Sequence, residues 1–107
     1  MAQKSRNAQC DDREWRLNGI LHRVDGPAVE RIDGSKSWYL NGQLHRIDGP
    51  AYFDLSGHKE WWVNGQLHRT DGPAVEYADG EKAWFLNGTY CTEEEFNTKM
   101  KPVKAVK

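Results

Sequence analysis

Apolar residues come in short clusters set between pairs of turn-forming residues, and the clusters repeat. Trp15, Trp38, Trp61 and Trp84 stand 23 residues apart. Asn-Gly recurs at 18, 41, 64 and 87, His-Arg at 22, 45 and 68, and Asp-Gly-Pro-Ala at 25, 48 and 71. A fixed period of roughly 20–50 residues marks a repeat architecture and outranks any local reading. Asn-Gly predicts a two-residue hairpin turn, because a type I′ turn needs positive φ at both central residues. Asp33-Gly34, Ser56-Gly57 and Asp79-Gly80 predict a second turn in each repeat. Short strands such as 35–40 fall between the turns, and so do longer segments such as 43–55. Each longer segment is bent at Asp-Gly-Pro, where Pro has no N–H for a ladder. The pattern predicts an all-β fold: a single elongated antiparallel meander sheet of 23-residue hairpin repeats over residues 14–91. Three repeats are full and the fourth is truncated.

The ends depart from the repeat. Residues 1–13 are polar and aperiodic and read as a flexible leader. In the last unit Thr89-Tyr90-Cys91 stands where Leu-His is expected. Thr92 followed three residues later by Glu95 is a capping-box signature. It predicts a short capping helix within 92–101, with Phe96 and Met100 packed on the last hairpin. Such a cap closes an otherwise open hydrophobic edge. Residues 102–107 form a basic tail.

Treating both turns as two-residue turns fixes a register. Across Asn41-Gly42, Tyr39 faces Leu44 and Trp38 faces His45. Across Asp33-Gly34, Trp38 faces Val29 and Tyr39 faces Ala28; likewise Trp61 faces Tyr52. Glu14 falls opposite Arg23, and Glu60 opposite Arg69. One face then carries a Trp ladder flanked by His. The other carries Arg16, Tyr39, Trp62 and Phe85, flanked by Leu and by Ala28, Ala51 and Ala74. A flat sheet cannot bury two apolar faces, so it is expected to roll, dimerise or bind something.

Composition narrows the function classes. The chain has 107 residues, enough for one domain, and only 37% are hydrophobic. Five Trp, four Tyr and three Phe supply much of the apolar area, which suits a thin sheet better than a thick sandwich. Fifteen basic and sixteen acidic residues leave a net charge of −1. That balance gives no nucleic-acid or membrane signal. Cys10 and Cys91 read as free thiols of a reducing, cytoplasmic setting. There is no secretory signal pattern and no apolar run long enough to span a membrane.

A 23-residue unit reading Trp, Asn-Gly, His, Gly, a short β run and Asp-Gly resembles a MORN repeat of the variant type common in bacterial and phage proteins. The resemblance covers residues 14–91. It implies an elongated sheet of hairpins, and a non-enzymatic role in scaffolding or dimerisation. The repeats here read His-Arg and then Asp-Gly-Pro-Ala, where MORN units read His-Gly before a second Gly.

Three groups of residues could carry chemistry. His22, His45 and His68 recur about 10 Å apart if each repeat adds two strands, too far to share a metal ion. They read as packing partners of Trp, His58 as a solvated turn neighbour, and no metal or cofactor is expected. Arg23, Arg46 and Arg69 stand two residues before Asp25, Asp48 and Asp71. They read as braces of the bend or as a row that holds phosphates or carboxylates. Tyr39, Trp62 and Phe85 form the main binding candidate, with Arg16 continuing their row. No nucleophile–base pair or phosphate-cradling loop is present, so no catalytic residue is assigned and an enzyme is not expected. The leading expectation is a protein-interaction module, a small phage or bacterial adaptor or inhibitor, with an unidentified protein partner or a second copy in a homodimer. The alternative is a nucleotide- or phosphate-binding protein in which the aromatic row stacks the base and the Arg row holds the phosphates. A hydrolase ranks last.

Overall fold

The computed structural model describes residues 3–6 and 12–100. Nine strands follow one another in order across one antiparallel sheet, beginning at Gln3–Arg6 and ending at Thr89–Cys91. Two further two-stranded ribbons, Tyr39–Leu40 with Gln43–Leu44 and Trp62–Val63 with Gln66–Leu67, lie beside it. One α-helix, Glu93–Met100, closes the C-terminal end. The fold is therefore all-β with a capping helix.

Each Asn-Gly forms the turn its composition predicts. Asn18, Asn41, Asn64 and Asn87 have φ of 51–53°, and each following Gly is also positive. Both central residues of a type I′ turn need that left-handed backbone, and Asn tolerates it better than most side chains.

The second turn differs from the two-residue turn expected. At Asp33-Gly34 only Gly34 has positive φ, +92°. Arg31 N–H donates to the Ser35 carbonyl, and Gly34 N–H to the Arg31 carbonyl. Three residues therefore lie in the loop, a type I turn followed by a left-handed Gly. The extra residue moves the register by one. Val29 pairs with Ser37 and Glu30 with Lys36, so Ser37 and not Trp38 is the partner of Val29. In the next repeat Tyr52 pairs with Glu60 rather than Trp61.

This register builds the core. Trp15, Trp38 and Trp61 N–H donate to the carbonyls of Ala28, Ala51 and Ala74 at 2.7–2.8 Å, so each Trp lies opposite the Ala of its own repeat. Ala28, Ala51 and Ala74 are fully buried. They belong to the Trp face, not to the Tyr39–Trp62–Phe85 face expected from the two-residue turn. A small side chain suits the position opposite a large indole, where little space is left in a packed row. On the opposite face Val29, Ser37, Val75 and Ala83 are buried.

The ends differ from their sequence readings in part. Gln3–Arg6 was expected within a flexible leader. Its backbone instead pairs antiparallel with Arg13–Leu17, from Gln3 with Arg16 to Arg6 with Arg13. A polar segment without alternation can still satisfy an edge strand through main-chain bonds alone. At the other end the capping box forms as expected, with Thr92 N–H donating to Glu95 Oε1 and Glu95 N–H to Thr92 Oγ1. Phe96 is buried against Trp84, with ring centroids 6.5 Å apart. Met100, expected beside Phe96, stays exposed. Cys91 is a buried free thiol; Cys10 and the 102–107 tail lie outside the described residues. Among the described residues no helix is long and apolar enough to cross a membrane.

Candidate interaction surface

In every full repeat the chain leaves the sheet after His-Arg, makes a short excursion through Asp-Gly-Pro, and returns at the buried Ala. The excursion folds back over the repeat's own Trp. Arg23, Arg46 and Arg69 lay their guanidinium groups on Trp15, Trp38 and Trp61, each 3.8 Å from the ring centroid. Nε donates to the Asp two residues on, at 2.8–3.0 Å. NH1 donates to the carbonyl of Pro27, Pro50 or Pro73, at 3.0–3.1 Å. A cation–π contact contributes about 0.5–2 kcal/mol. The Asp side chains are more than 80% exposed, so solvent screens most of the ion-pair attraction. The ring contact and the carbonyl bond do most to fix the loop.

This arrangement also accounts for the Gly of Asp-Gly-Pro. A Cβ on Gly26, Gly49 or Gly72 would sit 2.9–3.0 Å from the arginine Cζ of its own repeat. The guanidinium lies between an indole on one side and bare backbone on the other.

The histidines join one repeat to the next. Nδ1 of His22, His45 and His68 accepts the backbone N–H of Asn41, Asn64 and Asn87, each at 2.9 Å. Each acceptor therefore bonds the hairpin turn of the following repeat. The bond requires a bare Nδ1, so the neutral ring carries its proton on Nε2. His45→Ala should leave the Asn64 N–H without its protein acceptor and lower stability by about 1 kcal/mol. His45→Asn, whose Oδ1 stands where Nδ1 does, should recover most of the loss in chemical denaturation. Equal losses for the two variants would mean that ring packing, not the acceptor, is what matters.

Asp33, Asp48, Asp54 and Asp71 favour their charged forms. The Arg46 hydrogen bond holds Asp48 below the usual aspartate range, and Arg69 does the same for Asp71. The Ser35 backbone N–H lowers Asp33, and the Ser56 hydroxyl lowers Asp54. A carboxyl depressed in the folded state adds stability that is fully present above its unfolded pKa, about 3.9. That stability is lost as pH falls through the lower folded value. The denaturant midpoint should therefore hold steady from neutrality to about pH 5 and fall below about pH 4. The fall should be shallower in Asp48→Asn; an unchanged slope in that variant would remove Asp48 from the account.

The proposed site residues divide between two faces. Neighbouring residues in a strand point to opposite sides. Tyr39, Trp62 and Phe85 follow the Trp row by one residue, so they lie on the face away from Arg23, Arg46 and Arg69. Arg16 lies with the aromatic row, where its guanidinium bonds Glu14 and the Gly19 carbonyl. Tyr39 pairs with Leu44, Trp62 with Leu67, and Phe85 with Tyr90. The expected pairing of Glu60 with Arg69 gives way to a bond that Glu60 Oε1 accepts from Trp62 Nε1–H and a contact of Glu60 Oε2 with His58 Nε2, both at 2.8 Å. His58, expected to be solvated, is half-buried between Tyr52 and Tyr77, its ring 5.9 Å and 5.4 Å from theirs. Arg69 turns to Asp71 and Glu76.

Grooves run between successive excursions on the Trp face. One of 610 Å³ is lined by Arg46, Ile47, Asp48, Trp61, His68 and Arg69. A neighbouring groove of 650 Å³ has Val24, Trp38, His45 and Ile47 in its walls. Val24 and Ile47 are 82% and 76% exposed, at the same position of successive repeats. Ile32 and Leu55 are 71% and 81% exposed at the tips of the three-residue turns. Sequence reasoning missed Phe53, Lys36 and Lys59 on this face. The available signal was the column Glu30, Phe53, Glu76, one repeat apart, in which the middle member breaks the rule. Among the described residues no group of three or more His, Cys, Asp or Glu side chains is placed to hold a metal ion. Comparison with family models, with curated proteins and with solved structures gives no match.

Proposed function

We propose that this chain is a non-enzymatic protein-interaction module, a MORN-like repeat sheet that acts by surface binding. The observation that carries this reading is the placement of exposed apolar side chains. Val24, Ile47, Ile32 and Leu55 occupy equivalent loop positions along the array, and each is more than 70% exposed. A protein that binds nothing gains little from aliphatic side chains repeated in water, whereas a partner surface buries them. The guanidinium groups support the same reading. They are spent on Trp, Asp and Pro carbonyls within their own repeats, and the aromatic row lies on the other face. A nucleotide site using both rows is therefore not assembled by this geometry.

Affinity capture from a host lysate tests the reading. Ile47→Asp combined with Val24→Asp should remove a captured protein without unfolding the sheet, since both side chains are exposed. A panel of nucleotides and inorganic phosphates should leave the melting temperature unmoved, because a ligand specific for the folded state must raise it. A ligand-dependent rise, with capture unchanged by the double variant, would overturn the proposal.

A further inference from the structure

On the Trp face, the row beside the indoles alternates in charge. It runs Arg13, Glu30, Lys36, Phe53, Lys59, Glu76 and Lys82, each opposite the next across the sheet. Only Phe53 breaks the alternation, and it stands where the neighbouring repeats place Glu30 and Glu76. Those two glutamates complete their arginine braces. Glu30 Oε2 lies 3.6 Å from Arg23 NH1, and Glu76 Oε2 lies 3.1 Å from Arg69 NH1. Among the described residues Arg46 has only Asp48 as an ion-pair partner. Lys36 and Lys59 flank Phe53 directly and form no ion pair among the described residues. The Phe53 ring leans on Trp38, with centroids 5.6 Å apart, and is half-buried.

The centre of the array therefore combines an apolar floor with three cations, Arg46, Lys36 and Lys59; the carboxylates beside them are Asp48 and, one strand further out on either side, Glu30 and Glu76. We infer that the surface around Arg46, Lys36, Lys59 and Phe53 docks an acidic protein segment. A carboxylate of the partner takes the place that Glu30 and Glu76 hold in the outer repeats, and an apolar neighbour in the same segment covers Phe53. This inference rests on the interaction-module reading and names its partner class and site. A carboxylate is favoured over phosphate because this molecule already seats carboxylates at the two equivalent positions. An apolar floor suits a polypeptide better than a small hydrophilic anion. Charge-assisted bonds to Arg and Lys supply orientation, and the loss of charge alternation supplies selectivity against basic partners.

The test variant is Phe53→Glu, which gives the middle repeat the residue of its neighbours and so is expected to fold. The probe is a fluorescent peptide of alternating Glu and Leu, with a Lys-Leu peptide as control. The intact chain should bind the acidic peptide, more weakly as salt rises, and should not bind the control. Phe53→Glu should weaken binding at least about tenfold, the scale of one lost charge-assisted hydrogen bond. Lys36→Ala with Lys59→Ala should weaken it comparably. Absence of acidic-peptide binding would overturn the inference, as would equal binding by Phe53→Glu. Binding only to pyrophosphate, or only to phosphatidylserine vesicles, would also overturn it. If the intact chain captures a lysate protein but does not bind the acidic peptide, the acidic site is wrong and the interaction-module reading stands. If peptide and capture both fail, both readings fall.

Discussion

Trp38→Ala is expected to cost about 3–5 kcal/mol, the range for deleting a large aromatic side chain from a packed position. The indole is half-buried, which argues for the lower end. Three dependants argue for a larger loss: Ala51, buried opposite it, the Arg46 guanidinium at 3.8 Å, and the Phe53 ring at 5.6 Å. Removing the ring leaves Arg46 without its platform and opens Ala51 to water. Small-domain stability totals about 5–15 kcal/mol, so the middle of the array should open well before its ends. Hydrogen exchange should show this as early loss of protection at the Ala51 and Arg46 amides, which bond the neighbouring strands. A loss below about 1 kcal/mol, no larger than a typical point substitution, would mean that the Trp–Ala row is not the core.

Gly49→Ala should also destabilise, by about 1–3 kcal/mol as overpacking does. The backbone is not the obstacle, because Gly49 is not among the residues with positive φ. The obstacle is Arg46, whose Cζ would lie 3.0 Å and Nε 3.2 Å from the new methyl. That explanation makes a sharp demand on a double-mutant cycle. In an Arg46→Ala background the same Gly49→Ala change should become neutral, or stabilise by about 0.4–1 kcal/mol through the stiffer unfolded chain. If Gly49→Ala costs the same in both backgrounds, the guanidinium does not set the need for Gly, and the loop backbone does.

The two effects share a cause. In a sheet this thin, few side chains are fully buried, and the stabilising contacts are local and repeated. Each repeat carries one Trp that supports one Arg, and one His that reaches the next turn. Damage should therefore stay near its site, and its cost should be highest in the middle repeats, where both neighbours depend on the altered unit.

Much of this was legible in the chain itself. Asn-Gly admits few backbone geometries, so the four hairpins, and the Trp–His pairing across the first three, follow from local chemistry. The His45 amide indeed donates to the Trp38 carbonyl. The capping box was legible for the same reason, since its bonds run between residues three apart. Asp33-Gly34 was not. The same dipeptide serves a two-residue turn, or the end of a three-residue turn in which only Gly is left-handed. The choice shifts every partner by one and moves Ala28, Ala51 and Ala74 to the other face. The arginine brace was half legible, for Arg-x-Asp is local. The indole beneath the arginine is visible only once the excursion folds back over the sheet.

The sequence by itself determined the period, the hairpin turns, the all-β class and the capping helix, because each rests on the backbone preferences of residues close in the chain. The tertiary structure decided the register across the second turn and hence which side chains are buried. It also decided that Nδ1 of each His belongs to the next repeat, and that the arginines lie on the face away from Tyr39, Trp62 and Phe85. Those features depend on strands meeting at a sequence separation of about one repeat. There the packing of indole against Ala, and not any local preference, selects among registers that the turns alone would allow.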